Sequence, residues 1–177
     1  MPKYIALLRG INVSGQKLIK MEDLRGIFTD MGFKNVHSYI QSGNVIFETT
    51  RQDTIKLAIK IQKWLFKALG YEVPTIIRTS EELKSIVSDN HFARLKASKN
   101  AKTYVAFLSA TPTTEQVDFL HTLNSAVDTF HVQGTELYLI IDETKGKSVF
   151  TNVFVEKKLK MYATTRNWNT VCKLAEY

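Results

Sequence analysis

The sequence predicts an α+β protein that contains two similar halves in tandem. Hydrophobic residues make up 44% of the 177 residues and charged residues 23%, a balance typical of a globular chain with a full core. Apolar patterns in the first half follow the order strand, helix, strand, strand, helix, strand. The same order recurs from residue 102, and each half ends with an additional helical pattern. We therefore predict a tandem duplication of ferredoxin-like (split βαβ) units, each with an appended helix.

The first predicted half, residues 1–88, has clear signals for each element. An apolar run over 4–9 indicates a strand, and hydrophobic residues at helical spacing indicate a helix over 21–31. Segments 35–40 and 45–49 flank a turn and predict a hairpin. A long helix ends at Gly70, and a strand follows over 73–79. Thr79 and Glu82 then have the spacing of a capping box for the additional helix, which is predicted to extend through Val87.

The second predicted half, residues 102–177, follows a polar linker over 89–101. A strand is expected over 103–109, and Pro112 is expected at the start of a helix that continues to about residue 125. A hairpin over 129–141 turns at Gly134. Ser148 is predicted to cap the next helix. A strand over 161–165 and a final helix over 167–175 complete this half.

Alternation along the second strand of this hairpin predicts which side chains face the core. Leu137 and Leu139 are expected to point inward, and Tyr138 is expected to point outward.

The predicted topology brings two polar segments together. A ferredoxin-like unit has the strand order 4-1-3-2, in which the end of strand 1 and the turn between strands 2 and 3 lie at the same edge of the sheet. Segments 9–15 and 41–44 should therefore be neighbours, about 10 Å apart across two strand spacings. The sequence thus predicts one candidate site from two motifs.

The chemistry of this candidate site favours an anionic or polar ligand. Its glycines permit close approach of the backbone, its basic side chains supply positive charge, and its hydroxyl and amide groups supply hydrogen bonds. Alternatively, the glycines and asparagines only form turns. The candidate residues are Arg9, Gly10, Asn12, Gly15, Lys17, Ser42, Gly43 and Asn44, with Lys20 nearby.

A third polar segment, residues 163–170, is predicted at the start of the final helix. Arg166 and the helix N-terminus are suited to a carboxylate or phosphate, and Trp168 is suited to stacking on a flat ring. The structural alternative is that Thr165 or Asn167 caps the helix, Trp168 packs between the halves and Arg166 pairs with a carboxylate at the edge of the core.

Charge and composition limit the classes of function. The net charge of +7 favours anionic partners, but the lysines are dispersed and form no basic block. The single cysteine, Cys172, and the lack of a predicted membrane span lead us to expect a soluble cytoplasmic protein with no membrane partner. The four histidines lack metal-ligand spacing. We predict no metal and no cofactor, and we assign no catalytic residue.

Three motifs resemble those of the family called domain of unknown function 1697. They are Arg-Gly-Ile-Asn-Val-x-Gly at 9–15, Ser-Tyr-Ile-Gln-Ser-Gly-Asn-Val at 38–45, and Ala-Thr-Thr-Arg-Asn-Trp-Asn-Thr-Val at 163–171. The resemblance implies a bacterial-type α+β protein with ferredoxin-like halves and no established activity. The usual Val-Gly-Gly of the family is Val13-Ser14-Gly15 here, which weakens the argument that a second loop glycine is required.

Two functional hypotheses remain open. The first is binding of a small anionic or nucleotide-like ligand by the candidate residues of the first half together with Arg166, Asn167 and Trp168. The alternative is a single-stranded nucleic-acid-binding module, or an interaction protein without catalysis. Strands 1 and 3 offer only Tyr4 and Phe47 as aromatic residues, which is few for an RNA-binding sheet. Whether the chain is an enzyme, and its oligomeric state, stay open.

Overall fold

The computed structural model describes residues 1–13, 15 and 17–177, and it divides into two compact units. Unit 1 comprises Met1–Lys84 together with Leu174–Tyr177, and unit 2 comprises Ser85–Lys173. Ser14, part of the predicted loop 9–15, lies outside the described residues. Within the described chain the fold is α+β, with two four-stranded antiparallel sheets and seven α-helices.

Unit 1 contains the first sheet, in the strand order β2-β3-β1-β4, which is the predicted order. Its elements are β1 (Lys3–Leu8), α1 (Met21–Asp30), β2 (Lys34–Tyr39), β3 (Asn44–Glu48), α2 (Thr54–Leu69), β4 (Thr75–Thr79) and the start of α3 (Ser80–Asp89). The predicted capping box is present, because Thr79 N donates to Glu82 Oε2 (2.7 Å) and Glu82 N donates to Thr79 Oγ1 (3.1 Å). Gly70 ends α2 in a left-handed conformation, also as predicted.

The core of unit 1 is rich in aromatic residues. The ring of Phe47 on β3 stacks on Phe33 at 4.4 Å and meets the edge of Phe28 at 5.5 Å. Tyr4 on β1 packs in the same cluster, and its hydroxyl accepts a hydrogen bond from the Gln52 backbone N–H (3.1 Å). The aromatic residues of β1 and β3 are therefore part of the core rather than an exposed platform.

Unit 2 contains the second sheet, in the equivalent strand order β6-β7-β5-β8. After α4 (His91–Arg94), its elements are β5 (Lys102–Leu108), α5 (Thr114–Thr122), β6 (Asp128–Gln133), β7 (Glu136–Ile141), a 3-10 helix (Glu143–Lys145), α6 (Asn152–Leu159), β8 (Ala163–Asn167) and α7 (Trp168–Ala175). The last helix continues into the residues assigned to unit 1.

Two predicted helix starts in unit 2 were wrong. Helix α5 begins after Pro112, because Thr113 and Gln116 form a complete capping box there. Helix α6 begins at Asn152 with Thr151 as its cap. The Ser148 hydroxyl, which was predicted to cap this helix, instead donates to the buried carboxylate of Asp128.

Tyr138 points away from the core side chains Leu137 and Leu139, as predicted, but its side of the sheet is also buried. Tyr138 is only 2% exposed, because helix α4, within the segment predicted as a linker, covers it. The rings of His91 and Phe92 from α4 lie 4.5 Å and 5.5 Å from the Tyr138 ring. Burial raises the pKa of the Tyr138 hydroxyl. Burial and then the neighbouring His91 lower the pKa of His131, whose ring lies 5.2 Å from the His91 ring.

Candidate functional site

The two polar segments of unit 1 meet at one edge of the sheet, as the topology predicted. At the last residue of β1, Leu8 N donates to the Gly43 carbonyl (2.8 Å). Farther along the loop, the Asn12 side-chain N–H donates to the Gln41 carbonyl (2.9 Å). The loop after β1 and the β2–β3 turn therefore form one junction.

Asn12 is the residue that fixes this junction. Its Nδ2 group donates to the carbonyls of Ile19 (3.0 Å) and Gln41 (2.9 Å), and its Oδ1 accepts from Ile19 N (2.8 Å). Both N–H donors are thus used within the protein. Asn12 also has a φ of 54°, a left-handed conformation that asparagine tolerates better than most residues. Its first role is to fold the loop, and only Oδ1 keeps capacity for a further hydrogen bond.

The other predicted polar residues of unit 1 also make internal contacts. Asn44 is fully buried and donates to Tyr39 O and Ser42 Oγ, both at 3.0 Å. Lys17 Nζ donates to Glu72 O (2.7 Å) and lies 5.2 Å from the centre of the Tyr71 ring. These contacts hold the walls of the junction in place.

Gly43 allows the β2–β3 turn to pack directly against β1. Its φ is +76°, and an added Cβ would lie 2.9 Å from Leu8 Cβ and 3.3 Å from Ile11 Cβ. Gly10 and Gly15 also have positive φ, but an added Cβ at either position would have no heavy atom within 4 Å. Close packing therefore restricts position 43 more than the other two.

A cavity of about 710 Å³ lies beside this junction, at the start of α1. This volume is within the usual range for small-molecule sites. Of the described lining residues, Asn12 and Lys20 were named as candidates from the sequence, and Gln41 belongs to the predicted segment 41–44. The described lining residues are Asn12, Leu18, Ile19, Lys20, Met21, Asp23, Ile27, Gln41, Ala68 and Leu69.

The cavity combines an apolar wall with charged groups. Leu18, which is 71% exposed, contributes to the apolar wall. Lys20 is the N-cap of α1, and its ammonium group cannot accept a hydrogen bond from the first turn of that helix. Asp23, also in the lining, lies in that first turn. Sequence analysis missed Leu18 and Asp23 because an apolar loop residue and an acidic first-turn residue have common structural explanations.

In unit 2, Arg166 is a buried residue of β8. It is 7% exposed, and its Nη1 donates to Thr164 Oγ1 (2.8 Å) and Thr165 O (3.0 Å). Burial lowers its pKa to about 10. The guanidinium group therefore still carries its charge at neutral pH, and it is held by polar groups of its own strand.

Asn167 caps the final helix, as the structural alternative predicted, and Trp168 packs within unit 2. Asn167 Oδ1 accepts from Thr170 N (2.8 Å), which caps the first turn of α7. The Trp168 ring meets the Phe92 ring edge-on at 5.0 Å. Asn167 is nevertheless exposed, and Trp168 is partly exposed.

The described residues contain neither a candidate metal site nor a membrane-spanning helix. Among residues 1–13, 15 and 17–177, no group of three or more His, Cys, Asp or Glu side chains could hold a metal ion. No helix in this part of the chain has the length and apolar character needed to cross a membrane.

The fold and the cavity define an α+β protein with a candidate small-molecule site in its first unit. The chain belongs to the family described as protein of unknown function DUF1697, whose model matches residues 1–138. The fold is similar to that of the conserved bacterial protein SP0830 from Streptococcus pneumoniae, with a TM-score of 0.78 and 20% sequence identity. That similarity covers 99% of this chain and 97% of the other. Among functionally curated proteins, no significant match was found.

Replacing Gly43 with alanine should destabilise unit 1. The new Cβ would contact Leu8 while the backbone stays left-handed, so we expect the free energy of unfolding to fall by about 2–4 kcal/mol. Urea unfolding measures this change. Gly26→Ala in α1 is the matched control, because its Cβ meets no atom within 4 Å and should raise stability by up to about 1 kcal/mol. Equal stability of Gly43→Ala and the wild type would contradict the close packing.

Replacing Arg166 with alanine should also lower stability. The change leaves a buried void and removes the partner of Thr164 Oγ1 and Thr165 O, so we expect a loss of about 2–4 kcal/mol in urea unfolding. Arg78, which is 8% exposed on β4 and donates to Ile77 O, should behave in the same way. The exposed Arg51 provides the control, with a change within about 0.5 kcal/mol on mutation to alanine. Unchanged stability of Arg166→Ala would contradict this structural role and would instead favour a role of Arg166 in ligand recognition.

Proposed function

We propose that this protein binds a small anionic, nucleotide-like ligand in the cavity of unit 1. The observation that supports the proposal is the composition of the cavity lining. An apolar wall, a lysine and a carboxylate surround a volume of about 710 Å³ at the start of a ten-residue helix. Such a mixture suits a ligand that has a flat ring, hydroxyl groups and a phosphate.

Each part of the lining has a proposed role in recognition. The Lys20 ammonium and the first N–H groups of α1 would bind a phosphate, because both present positive charge. The Asp23 carboxylate would accept hydrogen bonds from sugar hydroxyls. Leu18, Met21 and other apolar side chains would cover one face of a ring.

The remaining predicted residues have indirect roles in this proposal. Asn12 would contact the ligand through Oδ1 and hold the loop, while Lys17, Ser42 and Asn44 would keep the junction rigid. Arg9, Gly10, Gly15 and Gly43 would shape the loop backbone. Direct ligand contacts by Arg166, Asn167 and Trp168 stay a prediction for unit 2.

The alternative of single-stranded nucleic-acid binding has less support. Modules that bind RNA on a sheet stack bases on exposed aromatic side chains. Here Tyr4 and Phe47 are 2% and 0% exposed, and their rings lie 5.9 Å apart within the core. The positive net charge alone does not distinguish an oligonucleotide from a small phosphorylated ligand.

We also propose that the two units are a tandem duplication of one ferredoxin-like unit. Tyr4-Ile5-Ala6-Leu7-Leu8 in β1 corresponds to Tyr104-Val105-Ala106-Phe107-Leu108 in β5. Opposite these strands, Arg78 pairs with Ile5 and Arg166 pairs with Val105. In each unit, the last of these leucines donates its N–H across the sheet edge, to Gly43 O or to Thr135 O. Similar losses of unfolding free energy in Arg78→Ala and Arg166→Ala would agree with the equivalence of these two positions.

Thermal unfolding in the presence of ADP, a sugar phosphate, inorganic phosphate or a short oligothymidine tests the ligand proposal. A ligand at 100 times its dissociation constant stabilises a protein by about 2.7 kcal/mol, which raises Tm by a few degrees for a chain of this size. We expect ADP to raise Tm at both low and moderate salt. Lys20→Gln and Asp23→Asn should each reduce the shift, because each removes one proposed contact.

Lys99→Gln is the control, since Lys99 is an exposed lysine of unit 2 that does not line the cavity. It should keep the full ADP shift. An unchanged shift in Lys20→Gln would place the ligand elsewhere. A shift that only the oligonucleotide produces, and that salt abolishes, would favour the nucleic-acid alternative.

A further inference from the structure

Helix α2 carries four large apolar side chains that are exposed to solvent, and three of them share one face. Ile55, Ile59 and Phe66 are 64%, 48% and 53% exposed. Their spacing of four and seven residues places them on one face of the helix, over a length of about 16 Å. Exposed apolar residues that occur singly need no explanation, but three on one face of a helix are typical of interaction surfaces.

A row of four lysines runs along the neighbouring face of the same helix. Lys56, Lys60, Lys63 and Lys67 follow one another at spacings of four, three and four residues. Helix α2 contains no acidic residue, so these lysines have no oppositely charged neighbour on it. Within the described parts of the chain, no ion pair involves Lys56, Lys63 or Lys67. Lys60 lies over the Phe33 ring, at 5.3 Å from its centre.

The stripe and the lysine row are not needed to anchor the helix. Leu57, Ile61 and Leu65 on the opposite side of α2 are fully buried in the core of unit 1. Asp53 caps the first turn, and Gly70 ends the helix. Helix α2 is therefore a fixed element with an apolar and basic outer face.

We propose that this face of α2 binds an acidic amphipathic helix of a partner protein. Apolar residues of the partner helix would cover the Ile55, Ile59 and Phe66 stripe, and its carboxylates would pair with the lysine row. A helix of three to four turns matches the length of about 16 Å. The charge of α2 thus specifies the partner as acidic, and its stripe specifies it as amphipathic.

Charge and arrangement favour this occupant over two others. A second copy of the chain would bring a second basic helix and another net charge of +7. Helices that lie in a membrane surface place their apolar face in the lipid with basic residues around it, whereas the lysines here lie on one side of the stripe. The inference is separate from the proposed ligand site, because none of the stripe or row residues lines the cavity.

Fluorescence anisotropy with two labelled peptides tests the proposal. The first is a helical peptide of about 16 residues with leucines along one face and glutamates beside them, and the second carries lysines in place of the glutamates. We expect saturable binding of the acidic peptide to the full-length protein with a Kd below about 100 µM, weakened by salt, and no binding of the basic peptide.

Variants of the face are the decisive comparison. Phe66→Ser and the double variant Lys63→Glu/Lys67→Glu should each weaken peptide binding at least tenfold. Val153→Ser on α6 and Lys84→Glu on α3 are matched surface controls, and both should bind like the wild type. Circular dichroism should show unchanged folding in all four variants, because the replaced side chains are exposed.

Three results would overturn the proposal. They are no saturable binding of the acidic peptide, equal binding of the basic peptide, and undiminished binding by both variants of the α2 face. A different outcome would be that the protein binds phosphatidylserine vesicles but not the peptide, and that the same variants lose vesicle binding. That result would indicate that the face binds a membrane surface instead.

Discussion

The candidate site depends on the hydrogen bonds of the Asn12 carboxamide. It joins the start of the loop after β1 to Ile19 near the loop end and to the Gln41 carbonyl in the β2–β3 turn. Because a loop of this length has considerable conformational entropy, three hydrogen bonds from one side chain restrict it strongly. The cavity at the start of α1 follows from this closure, since Asn12, Ile19 and Gln41 all contribute to its lining.

Close packing of the β2–β3 turn against the end of β1 and the loop after it also stabilises this junction. Gly43 brings the turn into contact with Leu8 and Ile11, and Asn44 is buried immediately after it. The polar residues of this region therefore have structural contacts, and their ligand contacts stay a proposal. A frame of this kind would reduce the ordering cost of binding, because Asn12 already joins Ile19 to Gln41. The two interpretations of these motifs, turn formation and recognition, are thus compatible.

Sequence patterns predicted much of the architecture and less of the site. Helix ends with specific capping chemistry, such as Gly70 and the Thr79–Glu82 box, were located correctly because their signals are local. The burial of Tyr138 was not predicted because a short helix distant in sequence covers its side of the sheet, which alternation within one strand cannot reveal. Ser148 was misassigned because its hydroxyl donates a hydrogen bond to the buried Asp128, which is twenty residues away in sequence. The cavity depends on how α1, α2 and the loop pack, so Leu18 and Asp23 gave no signal in the sequence.

The most direct test of the account is a titration of the isotope-labelled protein with ADP, followed by the backbone amide signals in NMR spectra. The account predicts saturable shifts concentrated at residues 17–23, at Gln41 and at residues 68–69, which surround the cavity. Shifts confined to residues 163–170, or no shifts at millimolar ADP, would contradict a nucleotide-like site in unit 1.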